Sequence, residues 1–370
     1  MNQCLLPIVK VKMPPRDELM PALESVLYGG MIGEGEEVYA FEREFAAQFN
    51  LPNALAVSSG TAALHLAFLS CGVIPGDEII TTAMTAEPTN TTILQIGAVP
   101  VFADVEADTG NLDPNAVERA ITSATRAICV VHYAGYPADL RALRAIADRH
   151  GIALIEDCAH ALGAHDSGVP VGTVGDAAIF SFQAIKHFTT VDGGMLTLSN
   201  PDRLDAARRL RWFGLAKGVA RTAVDIRVPG FKYNMHNVAA VIGRHQLTTI
   251  GEAIARHIDN GQFYDDAFAG TVGVAPARVR AGSAPSYWLY TLLCTDADHS
   301  SRVEAALLAA GVVAGKLHRP NHLHTVFAPY ASTMPGLDRF YARLLHLPCG
   351  WWVDDADRRR IAAVVKEALA

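Results

Sequence analysis

Residues 54–83 read ALAVSSGTAALHLAFLSCGVIPGDEIITTA, and the order of patterns in this stretch decides the fold. ALAVSS (54–59) is an apolar run of strand length. TAALHLAFLSCG (61–72) follows, with Leu64, Phe68 and Cys71 at helical spacing and a glycine at its end. Pro75-Gly76-Asp77 makes a turn, and EIITTA (78–83) is the next β-branched run. A strand, a helix and a strand in immediate succession form a crossover unit, which pairs its strands in parallel.

The alternation continues in the C-terminal direction. A helical stretch runs to Gly97, then come a strand at 99–105 and a helix at 114–122, with Asp113 as N-cap and Pro114 in its first turn. Further strands fall at 126–133 and 152–157, on either side of a helix at 138–150 that Gly151 ends. AAIFSF (177–182) and GGMLTLS (193–199) are two more strand-like runs. The pattern predicts an α/β protein with a mostly parallel sheet between helices, whose ligands bind at the carboxyl ends of the strands. The junctions to inspect are SSGTA (58–62), TAMTAEP (82–88), VHYAGYPAD (131–139) and EDCAHALGA (156–164).

Beyond about residue 250 glycine, proline and short polar breaks become frequent. A strand at 287–294, a helix at 302–311 and a closing helix (DDADRRRIAAVVKEAL) predict a smaller α+β domain. The division falls within a helical stretch at 240–260. The expected organisation is an arm at 1–12, a large domain at 13–248 and a small domain at 249–370.

With 370 residues, half of them apolar, the chain can bury a large core. Its 31 Lys and Arg against 38 Asp and Glu leave a net charge of −7, with no basic footprint for nucleic acid or an anionic membrane. No apolar run is long enough to span a bilayer, and the first residues lack the order of features of an export signal. A cytoplasmic protein is expected. The six cysteines form no CxxC pair; Cys71 and Cys129 are expected as reduced, buried thiols, and a disulfide framework is excluded.

Three features carry chemistry. At SSGTA a strand passes into a helix, where free amides with a hydroxyl from Ser59 or Thr61 make a phosphate cup; the same residues also suit an ordinary N-cap. Asp157 ends an apolar strand at the ligand edge, with His160 three residues on. Lys186, flanked by Ala184, Ile185 and Phe188, is in apolar company that lowers an amine's pKa and frees it as a nucleophile. A phosphate cup, a strand-end aspartate and a desolvated lysine are the parts that a pyridoxal phosphate site needs.

The order of longer motifs extends this reading over nearly the whole chain. IGEGEEVYAFEREFAAQF, AVSSGTAALHLAFLSCGVIPGDEII, GAVPVFADVEADTGNLDP, VVHYAGYPADL, IALIEDCAHALGA, GTVGDAAIFSFQAIKHFTTVDGGML and GFKYNMHNVAAVIG follow one another. In these the chain resembles the DegT/DnrJ/StrS-type sugar aminotransferases, a fold type I pyridoxal phosphate family. The resemblance implies an aspartate-aminotransferase-like large domain with a seven-stranded sheet. It implies pyridoxal 5'-phosphate as cofactor, Lys186 as its Schiff-base lysine and Asp157 as partner of the pyridine nitrogen. His160 would lie near the phenolic oxygen; Gly60 and Thr61 would bind the phosphate by backbone amides and Ser181 by its hydroxyl. GFKYN is similar to the loop that reaches the phosphate of a neighbouring subunit, with Lys232 and Asn234 as alternatives, so that a homodimer would share its active sites. The expected activity is transfer of an amino group from an amino acid, L-glutamate by family expectation, to a nucleotide-linked keto-deoxy sugar for polysaccharide or antibiotic sugar biosynthesis.

One departure stands out: where the family often has an aromatic residue over the cofactor ring, this chain has Ala86, followed by Glu87, which reads most simply as an exposed helix-start acid. Other readings are weaker. Gly311–Leu317 lacks the spacing and hydroxyl of a P-loop, and Gly29, Gly30, Gly33 and Gly35 follow no strand. His318, His322 and His324 have no acid or cysteine to complete a metal site and fit a loop entering the substrate cleft. Two alternatives to the sugar reading are a keto-cyclitol aminotransferase and a non-catalytic cofactor-binding regulator; intact Lys186 and Asp157 argue against the second.

Overall fold

A computed structural model describes residues 5–369. The seven-stranded sheet comprises β1 (Ala54–Val57), β2 (Glu78–Thr82), β3 (Val99–Ala103), β4 (Thr125–Val131), β5 (Ala153–Asp157), β8 (Ala177–Ser181) and β9 (Gly194–Leu198). Between β5 and β8 the chain makes β6 (His165–Asp166) and β7 (Val169–Pro170), which join β11 (Ser283–Ala284) in a small ribbon. The order across the large sheet is β1-β9-β8-β5-β4-β2-β3. Pairs β2–β3, β2–β4, β4–β5 and β5–β8 are parallel, and only β9 runs against its neighbours. The carboxyl ends of β1, β2, β4, β5 and β8 therefore open on one edge.

Helices α1 (Arg16–Tyr28), α2 (Glu36–Phe49), α3 (Gly60–Ser70), α4 (Glu87–Gln95), α5 (Pro114–Ala120), α6 (Leu140–His150), α7 (Leu204–Arg211) and α8 (Asn237–Leu247) accompany this sheet. Its two faces are covered separately. Phe41, Phe45, Ile128, Leu154 and Phe180 belong to one buried cluster; Leu55, Leu66, Phe68, Ile79 and Leu196 belong to another. α3 is apolar on all sides but for His65 because its residues from Ala62 to Phe68 are all buried.

The last third contains α9 (Ile250–Phe268), α10 (Ala297–Ala309), α11 (Pro335–Arg343) and α12 (Asp355–Leu369). They pack on a three-stranded antiparallel sheet of β10 (Val274–Pro276), β12 (Tyr290–Cys294) and β13 (Leu344–Leu347). Its core also takes in Ala83, Met84, Tyr133 and Tyr136 from the ends of β2 and β4, which seats these elements over the ligand edge. α9 links the two regions: Ile250, Ala253 and Ile254 belong to the large-sheet core, Tyr264 and Phe268 to the second. Of the expected arm, Leu6 bridges to Val312, while residues 1–4, Cys4 among them, lie outside the described residues.

Several boundaries differ from the sequence reading for local reasons. α10 starts at Ala297 rather than 302 because Asp296 caps it, its side chain accepting from the His299 amide. The strand expected from 287 begins at Tyr290, since Tyr287 sits at φ 47°, outside the extended region. The helix after TAMTA is confined to α4, with Ala86 as its N-cap residue. Cys71 is half-buried rather than buried, at the C-cap of α3, whereas Cys129 is fully enclosed.

Candidate active site

The strand ends meet at a cavity of about 370 Å³. Ser59, Gly60 and Thr61 come from the β1–α3 junction, Thr85, Ala86 and Thr89 from the β2–α4 junction, and Val131 from β4. Asp157, Ala159 and His160 follow β5; Ser181, Lys186 and Asp192 follow β8; and His318 enters from the C-terminal region. Eight of the ten residues singled out from sequence thus share one space.

The cup is built by an N-cap and two close approaches. The Ser59 hydroxyl accepts from the Ala62 amide at 3.0 Å, starting α3 at Gly60 and leaving the Gly60 and Thr61 amides at its open end. The capping reading and the cup reading hold together. A Cβ on Gly60 would stand 2.9 Å from Ser181 Cβ, and one on Gly194 would stand 2.6 Å from the Ser59 carbonyl oxygen. The cup therefore sits directly against Ser181, and both positions exclude a side chain.

Asp157 is buried at 3% exposure. One carboxylate oxygen accepts from the Thr89 hydroxyl at 2.9 Å and the other from the Ala159 amide at 3.1 Å. Thr89 in turn shares a hydrogen bond with the Thr85 hydroxyl. Burial pushes the Asp157 pKa up, opposed by the Ala159 amide, the Thr89 hydroxyl and the charge of Lys186. Burial pulls the Lys186 amine down to about 8, against the pull of Asp157. Its Nζ stands 4.3 Å from the centre of the Trp288 ring, whose indole N–H donates to the Ile185 carbonyl at 2.9 Å and so braces the lysine segment.

His160 stacks on Trp288 with ring centres 4.0 Å apart, and His318 stands beside the pair, 5.7 Å from His160 and 6.4 Å from Trp288. Burial, with Lys186 next in importance, keeps His160 neutral and holds His318 at about 4. Nδ1 of His160 and Nε2 of His318 are buried polar atoms without a protein partner, and both residues line the cavity. Sequence reasoning did not single out Trp288 or Thr89. For His318 the sequence offered only the grouping of His318, His322 and His324 in a loop expected to enter the substrate cleft.

Lys232 and Asn234 do not reach this cavity. Asn234 is buried and accepts from Lys232 Nζ at 2.8 Å, while Lys232 is exposed and stands 3.8 Å over the Trp212 ring. A separate hollow of about 630 Å³ nearby is lined by Glu34, Arg43, Arg208, Trp212 and Lys217. The buried Arg211 is neutralised there by Glu34 and Glu42, each at 2.7 Å. Glu87 heads α4 and faces His324 at 3.6 Å.

Among the described residues, the one close group of possible metal ligands is His132, Glu156 and Cys158, not the 318–324 histidines. It is structural. Glu156 accepts from the amides of Gly172, Val174 and Gly175, and His132 Nδ1 accepts from Ala138, which leaves the proton on Nε2 to donate to Glu156. Burial pushes the Cys158 thiol well up, away from the thiolate that a metal needs.

The chain matches the DegT/DnrJ/EryC1/StrS aminotransferase family over residues 15–366. It is 32% identical over 369 residues to the spore coat polysaccharide biosynthesis protein SpsC of Bacillus subtilis (strain 168), covering 96% of this chain and 95% of that one. The crystal structure of AtS13 from Actinomadura melliaura superposes with a TM-score of 0.94 at 35% identity, over 99% of this chain and 100% of the other. The sugar aminotransferase CalS13 from Micromonospora echinospora gives 0.93 at 34% identity, over 98% and 100%.

Proposed function

The chain belongs to the DegT/DnrJ/EryC1/StrS aminotransferase family, and on that basis we propose that it is a pyridoxal 5'-phosphate-dependent enzyme that moves an amino group from L-glutamate to the keto group of a nucleotide-linked deoxy sugar. The observation that carries this reading is Lys186 sharing one cavity with buried Asp157 and the open N-terminus of α3.

The residues present fit the cofactor. Its phosphate matches the amides of Gly60 and Thr61 with the hydroxyls of Ser59 and Ser181. Asp157, held by Thr89 and Ala159, matches a protonated ring nitrogen, whose charge would offset the cost of burying the carboxylate. The unpartnered His160 Nδ1 matches the phenolic oxygen. Lys186, with its pKa drawn to about 8, supplies an appreciable fraction of free amine near neutral pH for the covalent link. Ala86, which lines the cavity, would give a bound ring less contact than an aromatic residue. The bound group contributes an electron sink for charge developing at the donor's Cα. Lys186, once its amine is free, would take the donor's Cα proton and carry it across the donor nitrogen, acting as base and then acid. The same residues then run the steps in reverse on the keto acceptor.

We further propose a homodimer in which Lys232 or Asn234 serves the partner's site. Their place outside their own cavity supports this, as do the exposed apolar side chains of Tyr28 (85%) and Met31 (62%) and those of Ile226 and Val228. No described helix is long and apolar enough to cross a membrane. We place the enzyme in the cytoplasm, where the described free thiols stay reduced, and its product in polysaccharide or antibiotic sugar biosynthesis.

The test is an absorbance titration of the protein loaded with pyridoxal 5'-phosphate. Expected is a visible band that L-glutamate converts to that of the amino form, and that Lys186→Ala lacks. A band that no amino donor moves would overturn the transaminase reading, and no band at all would overturn the cofactor. Keto sugars and keto cyclitols are then screened as acceptors; turnover of cyclitols alone would replace the sugar assignment.

A further inference from the structure

Two asparagines far apart in sequence meet beside the cavity, and the proposed reaction does not use either. Asn90 in α4 and Asn321 in the C-terminal loop are both completely buried. Asn90 Nδ2 donates to the Thr82 carbonyl at 2.9 Å and to Asn321 Oδ1 at 2.8 Å, while its Oδ1 accepts from the Thr81 hydroxyl at 3.0 Å. Asn321 Nδ2 donates to the Thr85 carbonyl at 2.8 Å, and its backbone amide donates to the Ala83 carbonyl at 2.7 Å. The amide orientations are dictated: turning either side chain over would set oxygen against carbonyl oxygen. Together the pair takes up the carbonyls of Thr82, Ala83 and Thr85, where the chain leaves β2 to form the Thr85–Ala86 wall.

The loop bearing Asn321 is also held on the other side of His318. The Leu317 carbonyl accepts from the Tyr133 hydroxyl and lies 3.0 Å from His346 Nε2. His318 therefore sits between two anchors, with its Nε2 unpartnered and its ring 5.7 Å from that of His160. The anchor at 321 is tied to the residue next to Thr89, the partner of Asp157.

We infer that Asn321, through Asn90, is a positioning residue that fixes His318 as the wall facing Lys186 and so sets how firmly the site holds the part of a substrate remote from its reacting carbon. Lys186, Asp157 and the cup follow the ends of β8, β5 and β1, and neither asparagine is hydrogen-bonded to any of them. Loss of the clamp therefore weakens substrate holding and leaves the chemical step intact.

The inference rests on the aminotransferase reading, and the test separates the two. Asn321→Ala, Asn90→Ala and the double variant are loaded with pyridoxal 5'-phosphate, and the L-glutamate half-reaction is followed by absorbance over a concentration series. Expected is a rise in the half-saturating L-glutamate concentration on the order of tenfold, with the limiting rate within about twofold. The double variant is expected to be no worse than the poorer single one, as for two partners in one contact. Hydrogen exchange in the same proteins should show the amides of residues 318–324 exchanging on the order of tenfold faster, with α3 unchanged. A fall in limiting rate at constant half-saturation, additive losses, unchanged kinetics or unchanged exchange would each overturn the proposal. If Asn321→Ala does not fold, Asn90→Ser carries the same measurements. Failure of the unsubstituted enzyme to react with L-glutamate would strike the donor assignment, and the exchange data alone would then decide the clamp.

Discussion

Lys186 owes its lowered pKa to where it stands. The charged amine loses water on entering the cavity wall, and Asp157 and the Trp288 ring return only part of that stabilisation. With its pKa at about 8 in the folded protein against 10.5 unfolded, the unfolded chain binds more protons between those values. The stability of the cofactor-free protein should therefore rise with pH across that window, the penalty being fully present below pH 8. Lys186→Met should melt above the unsubstituted cofactor-free protein at pH 7, with a difference that shrinks as pH climbs towards 10.5; thermal unfolding at a series of pH values checks this. Ala86 makes the opposite case, a site residue notable for what it lacks. Ala86→Phe should add ring contact worth about 0.5–1.5 kcal/mol, slowing cofactor dissociation by roughly 2- to 10-fold, and should raise the half-saturating concentration of a bulky acceptor by narrowing the cavity. Dilution of the loaded enzyme with absorbance readout measures the first effect, and acceptor kinetics the second.

Among elements, the turn after β5 shows how a strand end is kept in place. Glu156 and Asp157 point to opposite sides of the strand. Asp157 faces the cavity, while Glu156 gathers the amides of Gly172, Val174 and Gly175 together with His132. Glu156→Ala would leave those buried donors without an acceptor and should cost about 3 kcal/mol or more of stability, read from denaturant unfolding. Activity per folded, cofactor-loaded molecule should fall less than stability does, because Asp157 retains Thr89 and Ala159. The sequence displayed Asp157 and concealed Glu156, since a carboxylate inside a strand has no local mark of what it will bind. Element existence was legible wherever the apolar period was long and a cap was present, as in α6 between Asp139 and Gly151. It was less so at 287–289, where a positive φ at Tyr287 delays a strand that the composition favours. α9 shares its apolar face between two cores, so no loop marks a division there; we keep 249 as the proposed domain start.

At the scale of the molecule, the exposed Lys232 and the apolar surfaces of α1 and the 213–228 loop argue for function as a pair of chains. Complementation decides it. Lys186→Ala and Lys232→Ala proteins, each impaired alone, are unfolded and refolded together. If Lys232 acts across the interface, random pairing should restore about one quarter of the sites, because half of the dimers are mixed and each has one intact site. If Lys232 acts within its own chain, mixing restores nothing. Size-exclusion chromatography of the separate proteins should show dimers in both cases.

The alternating pattern, the small residues at SSGTA, the strand-end aspartate and the lysine among apolar neighbours could all be read from order along the chain. Crossover geometry and helix starts are local, and they bring strand ends to one edge whatever surrounds them. The enclosure of the site could not be read that way. Trp288 against Lys186, His318 beside His160, Thr89 on Asp157 and the Asn90–Asn321 clamp each join residues distant in sequence. Their side chains have no periodic or capping signature, since a stacked ring or a buried amide satisfies its surroundings only after two cores have packed against each other. Local sequence placed the reactive groups at the edge of the sheet, and long-range packing set the walls, the desolvation and hence the working pKa values around them.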